Sequence, residues 1–286
     1  MITGTTRNLG VIGWPIVHSL SPVIQNAAIA AAGIDYVYTA LPVKPDDLPA
    51  AVQGLTAAGF AGFNVTIPHK QAIMPYLDAI DDDAKVIGAV NTVANQDGQL
   101  KGYNTDITGF LSGLDYAGID VHWHEAVVLG AGGAARAVVW GLLRAGVSRL
   151  SIGVRNPPKA EQLAADMNKA VGYERVTVYD WQSPEFKAAL SSAFIVVNTT
   201  PLGMYPHVDA APPVDVQAMA EGAVAYDVIY TPAETQFLRT ARENGHITIN
   251  GEHMLVGQGA AALKLWTGIT PDTGLMRRVL REQLEA

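Results

Sequence analysis

Val127-Val128-Leu129-Gly130-Ala131-Gly132-Gly133-Ala134-Ala135 decides the fold of this chain. Three apolar residues run into a glycine turn, and the pattern Ala137, Val138, Trp140, Gly141 and Leu142 follows. The stretch predicts a buried strand, a tight turn and a helix. Gly130 lets the chain reverse, Gly132 lets the backbone approach a pyrophosphate, and the small Ala135 lets helix and strand pack closely. The unpaired N–H groups at the helix start and the positive end of its dipole then face the phosphates. Glycine-rich turns are common, so the weight comes from the surroundings.

A second strand is predicted at Leu150 to Val154, about where a dinucleotide fold places its ribose-contacting residue. An acidic residue there would repel an additional phosphate. This chain has Arg155 instead, with Lys159 one helical turn later, which points to the 2′-phosphate of NADP. Beyond Lys159 helices and strands alternate: a helix to about Met167, a strand from Arg175, a helix from Pro184, a strand from Phe194 to Asn198 and another from Val224 to Tyr230. A helix from Pro232 to Asn244 and a strand from Ile247 to Asn250 complete a doubly wound domain.

Upstream the same rhythm recurs. Leu9 to Gly13 and Tyr36 to Leu41 read as strands, Pro45 to Ala58 as a helix, and Gly62 to Pro68 as a strand entering a loop that carries His69 and Lys70. Ser21 is expected to cap a helix opened by Pro22 and stopped by Gly33. Asn64, Thr66 and Lys70 fall near the carboxyl end of one strand, where open α/β sheets bind ligands. Asp97-Gly98 separates the strand-like pieces 87–93 and 100–106, a strong hairpin signal that brings Asn91 and Asp106 onto neighbouring strands. Asp81 to Asp83 reads as an exposed helix terminus, and His122-Trp123-His124-Glu125 as surface residues, so no metal site is expected. Within the apolar helix 253–266, Gln258 is a lone amide that either ties segments together or holds a ligand.

Composition narrows the partners. A chain of 286 residues that is 49% hydrophobic buries a sizeable core. Net charge −8 with 19 basic residues provides no broad footprint for nucleic acid or an anionic membrane, so the expected ligand is small and held locally. No cysteine is present, which rules out disulfide and thiolate chemistry and suits a reducing cytoplasm. Neither a signal-peptide core nor a membrane-spanning run is found in the sequence.

Seven motifs in order carry a family resemblance: G-W-P-I-V-H-S-L-S-P, F-N-V-T-I-P-H-K, G-A-V-N-T, Y-N-T-D, G-A-G-G-A-A-R, N-T-T-P-L-G-M and G-E-H-M-L-V-G-Q-G-A. On these the chain resembles the shikimate dehydrogenase family over nearly its full length. The resemblance implies an α/β enzyme of two domains: residues 1–106, completed by 252–286, for substrate binding and catalysis, and residues 107–251 as a Rossmann-like NADP-binding domain. It implies reversible, NADP-linked reduction of 3-dehydroshikimate to shikimate, in a cytoplasmic monomer or homodimer. Lys70 and Asp106 match the catalytic pair. Ser19, Ser21, Thr66, Asn91, Tyr230 and Gln258 match substrate contacts. Gly130, Ala131, Gly132, Gly133, Ala134, Arg155 and Lys159 match cofactor contacts, with Asn156 beside them, and Asp82, Val228 and Gly251 match the nicotinamide side. A cleft between the domains would hold nicotinamide against substrate. The family often has His where Gln25 stands and Thr where Asn156 stands; Asn156 still donates a hydrogen bond. Alternatives of the same fold are an enzyme that also accepts quinate or uses NAD, and a non-catalytic NADP-binding sensor.

Overall fold

The computed structural model describes residues 2–285. The chain divides into two compact units: one comprises the chain up to Gly109 and the stretch from Val256 onward, the other runs from Phe110 to Leu255.

The first unit starts with strand β1 (Arg7–Gly13), helix α1 (Ser21–Ala32), β2 (Tyr36–Pro42), α2 (Leu48–Ala57), β3 (Gly62–Val65) and the one-turn α3 (His69–Ala72). It continues through β4 (Ala79–Ile80), α4 (Asp82–Ile87), β5 (Thr92–Gln96), β6 (Gln99–Tyr103) and the start of α5 (Asp106–Ala117). Its sheet has the order β2-β1-β3-β5-β6-β4, with β1 parallel to both neighbours and β5 antiparallel to β3 and β6. Asp97 and Gly98 both have positive φ, 54° and 91°, the two-residue hairpin geometry that the Asp-Gly pair favours. The pairing Thr92↔Tyr103 follows from that turn and sets Asn91 N–H against the Tyr103 carbonyl at 3.0 Å. Phe63, Val65, Ile73, Val93 and Leu100 fill the core on one side of the sheet.

Three expectations change here. Leu20, not Ser21, is the cap of α1: the Leu20 carbonyl accepts from Val23 and Ile24 N–H, and no side chain caps the helix. Ser21 becomes the first helical residue and its hydroxyl is left for other partners. Lys70 stands on α3 rather than in an open loop, because buried His69 anchors the turn through a 2.8 Å bond to the Val43 carbonyl. Ile87 belongs to α4, which Asp81 caps through Asp83 N–H and Gly88 ends at φ 68°; the hairpin strand begins only at Thr92.

The second unit contains β7 (Glu125–Leu129), α6 (Gly133–Arg144), β8 (Arg149–Val154), α7 (Pro158–Val171), β9 (Val176–Asp180) and α8 (Pro184–Ser192). It continues with β10 (Ile195–Asn198), β11 (Val224–Asp227), α9 (Gln236–Glu243) and β12 (Ile247–Ile249). All pairs are parallel in the order β12-β11-β10-β7-β8-β9. In chain order that is third, second, first, fourth, fifth, sixth from one edge, the Rossmann arrangement whose switch point lies between β7 and β10. Strand β11 stops at Asp227, earlier than the sequence suggests, and α9 begins at Gln236, later than it suggests. The cause is Thr235, which caps α9 through Leu238 N–H and also bonds Asp227.

The chain re-enters the first unit within α10 (Glu252–Thr267) and ends in α11 (Thr273–Glu285). Trp266 seats α10 on the first sheet, its indole N–H donating to the Val93 carbonyl at 2.9 Å. Gly62 leaves room for it, since a Cβ at that position would run into the indole and the Val93 carbonyl. Gly62→Ala is therefore expected to cost about 1–3 kcal/mol through overpacking. The check is a lower denaturant midpoint at unchanged slope; an unaltered midpoint would show that α10 yields freely.

Candidate active site

Lys70 Nζ donates to Asp106 Oδ2 at 2.6 Å, with the two side chains 23% and 9% exposed. The pair forms because α3 follows β3 and α5 follows β6, so both residues lie just past the carboxyl ends of strands in one sheet. Asn91 fixes the other carboxylate oxygen, its Nδ2 donating to Asp106 Oδ1 at 2.7 Å. The Asn91 carbonyl oxygen Oδ1 is itself saturated, accepting from Thr105 N–H at 2.7 Å and the Thr92 hydroxyl at 2.9 Å. A charge-assisted pair whose carboxylate is bonded at both oxygens is held in one geometry.

Other candidates gather around the same end of the first sheet. Ser19 Oγ accepts from Ser21 N–H at 3.3 Å, which places both hydroxyls at the start of α1. Thr66 follows β3, its N–H on the Ile12 carbonyl at 3.0 Å. Gln258 is half-buried on α10, next to Gly259, whose carbonyl accepts from the buried Gln25 Nε2 at 2.9 Å. That bond ties α10 to α1 one turn after Ser21. Asp82 also lies in this unit, at the exposed start of α4, paired with Lys85 at 2.8 Å; that pairing draws its carboxyl below the ordinary value. Two residues that sequence reasoning did not place in the site, Tyr38 and Thr92, are buried in its hydrogen-bond network. Nothing in the sequence sets them apart from the other polar residues of their strands.

The second unit holds the glycine loop. Gly130 has φ 105°, and a Cβ there would press on Thr199 Oγ1 at 2.9 Å, so the turn passes close beside the loop after β10. At Gly132 and Gly133 a Cβ would meet nothing within 4 Å, and no side chain caps α6. The helix start, with Ala131 and Ala134 flanking it, is an open cradle of backbone N–H groups. Arg136 does not serve it directly: its guanidinium pairs with Asp166 at 2.7 Å, holding that carboxyl below its usual range. Arg155 and Lys159 are exposed, and neither side chain has a hydrogen-bond or ion-pair partner among the described residues; Asn156 is exposed between them. Free cations beside an uncapped, side-chain-free helix start fit a dinucleotide carrying an extra phosphate. Val228 and Gly251 come together, since a Cβ at Gly251 would overlap the Val228 carbonyl. Tyr230 follows in the same loop, and burial pushes its phenol above the ordinary value.

Under that loop lies a cluster that the sequence did not advertise. Fully buried Asp227 accepts from Asn198 Nδ2 at 3.1 Å, the Thr235 hydroxyl at 2.7 Å and Ile229 N–H at 3.0 Å. Burial pushes its carboxyl from 3.8 up to about 6, against the pull of those donors. A raised folded-state value means that Asp227 adds stability below about pH 4 and that this contribution disappears as pH rises through about 6. The span corresponds to roughly 3 kcal/mol. Denaturant unfolding of wild type and Asp227→Asn across this window should show the wild type losing stability relative to the variant. A constant difference between them would mean that Asp227 titrates alike in the folded and unfolded states.

The family profile described as shikimate dehydrogenase substrate binding domain matches residues 11–93, and that described as shikimate 5'-dehydrogenase C-terminal domain matches residues 251–281. The chain is 48% identical to the shikimate dehydrogenase (NADP(+)) of Symbiobacterium thermophilum, over 99% of this chain and 96% of that protein. A crystal structure of a shikimate dehydrogenase in complex with NADP+ is 41% identical with a TM-score of 0.93, covering 99% of this chain and 98% of its own. The Thermus thermophilus shikimate 5-dehydrogenase, in complex with NADP(H) and shikimate, is 36% identical with a TM-score of 0.86, covering 97% and 99%.

Proposed function

This chain belongs to the shikimate dehydrogenase family, and from that membership we infer that it catalyses the reversible, NADP-linked reduction of 3-dehydroshikimate to shikimate, a step in aromatic amino acid biosynthesis. The observation that carries the residue-level account is the Lys70–Asp106 pair, held at 2.6 Å and oriented by Asn91.

Bound NADPH supplies the hydride. Reduction of a ketone also needs a proton on the oxygen, and the Lys70 ammonium supplies it as negative charge develops there. Asp106 holds Lys70 in place and balances its charge; in the oxidative direction the amine takes the proton back. In the first unit Ser19 and Ser21 hold the substrate carboxylate, Thr66 and Gln258 accept from and donate to the ring hydroxyls, and Asn91 donates its remaining amide hydrogen. In the second unit backbone N–H groups from Gly130 to Ala134 bind the pyrophosphate. Arg155, Asn156 and Lys159 bind the 2′-phosphate, and Val228 and Gly251 serve the nicotinamide end. In this division the first unit is the substrate domain and the second the cofactor domain. No helix among the described residues is long and apolar enough to cross a membrane. We place the enzyme in the cytoplasm, whose reducing conditions suit a chain without cysteine.

Incubating the purified protein with shikimate and NADP, and with quinate and NADP, while following NADPH absorbance tests the assignment. NADPH formation with shikimate in preference to quinate is the expected result. NADP binding without turnover of either acid would instead identify a sensor.

A further inference from the structure

Tyr38 is 1% exposed on β2, at the edge of the first sheet, and takes no part in the proton transfer described above. Its phenol donates to Asn64 Oδ1 at 2.7 Å. Asn64 Nδ2 donates in turn to Thr92 Oγ1 at 3.0 Å, and the Thr92 hydroxyl donates to Asn91 Oδ1 at 2.9 Å. Asn91 Nδ2 then donates to Asp106 Oδ1 at 2.7 Å, while Lys70 occupies Asp106 Oδ2. Every hydrogen in this series points toward Asp106. Bonds aligned head to tail in a buried setting polarise one another, so the series behaves as one unit.

Tyr38 is itself pinned. Its backbone N–H donates to Asn26 Oδ1 at 2.9 Å, and its carbonyl accepts from Asn26 Nδ2 at 2.8 Å, so a side-chain amide does the work of a neighbouring strand. Burial raises the phenol's titration far above the ordinary value, so it stays a donor. Asn26 also donates to the Pro22 carbonyl at 2.8 Å, which holds Tyr38 to the first turn of α1.

We propose that Tyr38 is a positioning residue: through Asn64, Thr92 and Asn91 it sets the orientation of Asp106, and thus of Lys70. The proposal rests on the assignment of Lys70 and Asp106 to proton transfer. Removing the phenol oxygen leaves Asn64 Oδ1 a buried acceptor without a donor. Rotation of that amide, its simplest relief, withdraws the donor from Thr92 and loosens the next two bonds.

Tyr38→Phe keeps the ring and its burial, so it isolates the oxygen. The expected result is a kcat lowered about tenfold and a raised KM for shikimate, with the dissociation constant for NADP unchanged. Thr92→Val interrupts the same series two bonds later and should show the same split. The double variant should lose much less than the product of the single losses, because either change already breaks the series. A Tyr38→Phe protein with a lower melting temperature but wild-type kcat and KM would overturn the proposal, as would losses that multiply independently. If Tyr38→Phe does not accumulate as folded protein, Thr92→Val decides by the same criteria. Wild-type protein inert toward shikimate would instead reject the function itself, which separates the two failures.

Discussion

Replacing Lys70 with alanine is expected to lower kcat for shikimate oxidation by about 10²- to 10⁴-fold while moving KM far less. The ammonium is needed chiefly where charge develops in the transition state, so its loss appears in the chemical step. Asp106 and Asn91 remain in place in such a variant, since Asn91 Nδ2 holds Asp106 Oδ1 independently of Lys70. Lys70→Arg sharpens the test. A guanidinium restores the positive charge beside Asp106 but does not release a proton at ordinary pH, so kcat should stay low. Full recovery with arginine would reduce Lys70 to an electrostatic role, and an unchanged kcat with raised KM in Lys70→Ala would make it a binding residue only.

The second large effect concerns the choice of cofactor. Arg155 presents a planar fork of donors, and Lys159 adds a point charge one turn along; both are exposed and have no side-chain partner among the described residues. Each charge-assisted contact is worth roughly 1.5–3 kcal/mol, and about 1.4 kcal/mol is tenfold in affinity. Exposure argues for the low end. Neutralising both side chains should therefore weaken NADP by at least about a hundredfold, while NAD, which lacks the phosphate, loses little. The wild-type preference should also narrow as salt rises, because exposed charges are screened. Measuring kcat/KM with each cofactor in wild type and double variant checks this. Equal weakening of NADP and NAD would mean that the pair supports the fold and does not read the phosphate.

Local signals carried much of this architecture. Glycines separate strand from helix at Gly130 to Gly133 because only there must the backbone turn sharply and stay bare. Asp97-Gly98 makes its hairpin because both positions take positive φ. Motifs singled out Lys70, Asp106 and Asn91, and the fold joins them in one hydrogen-bonded group. Periodicity encodes burial, and burial is what sets strands and helices in order.

Hydrogen bonds between residues distant along the chain follow another rule. Tyr38 reaches Asn64 only because β1 lies between β2 and β3, and Asn64 reaches Thr92 only because β5 pairs antiparallel to β3 in one register. A one-residue slip would turn each of those side chains to the opposite face. Asp227 is similar: its burial under the loop after β10 depends on β10 and β11 being neighbours. Ser21 lost its expected capping role because the Leu20 carbonyl captures the first helical N–H groups, which makes Ser21 the first helical residue. The sequence by itself thus determined which groups are present and the elements that carry them. Only the tertiary structure decided which polar groups satisfy one another, because strand order and register are properties of the whole sheet and a buried donor takes whatever acceptor that sheet brings within reach.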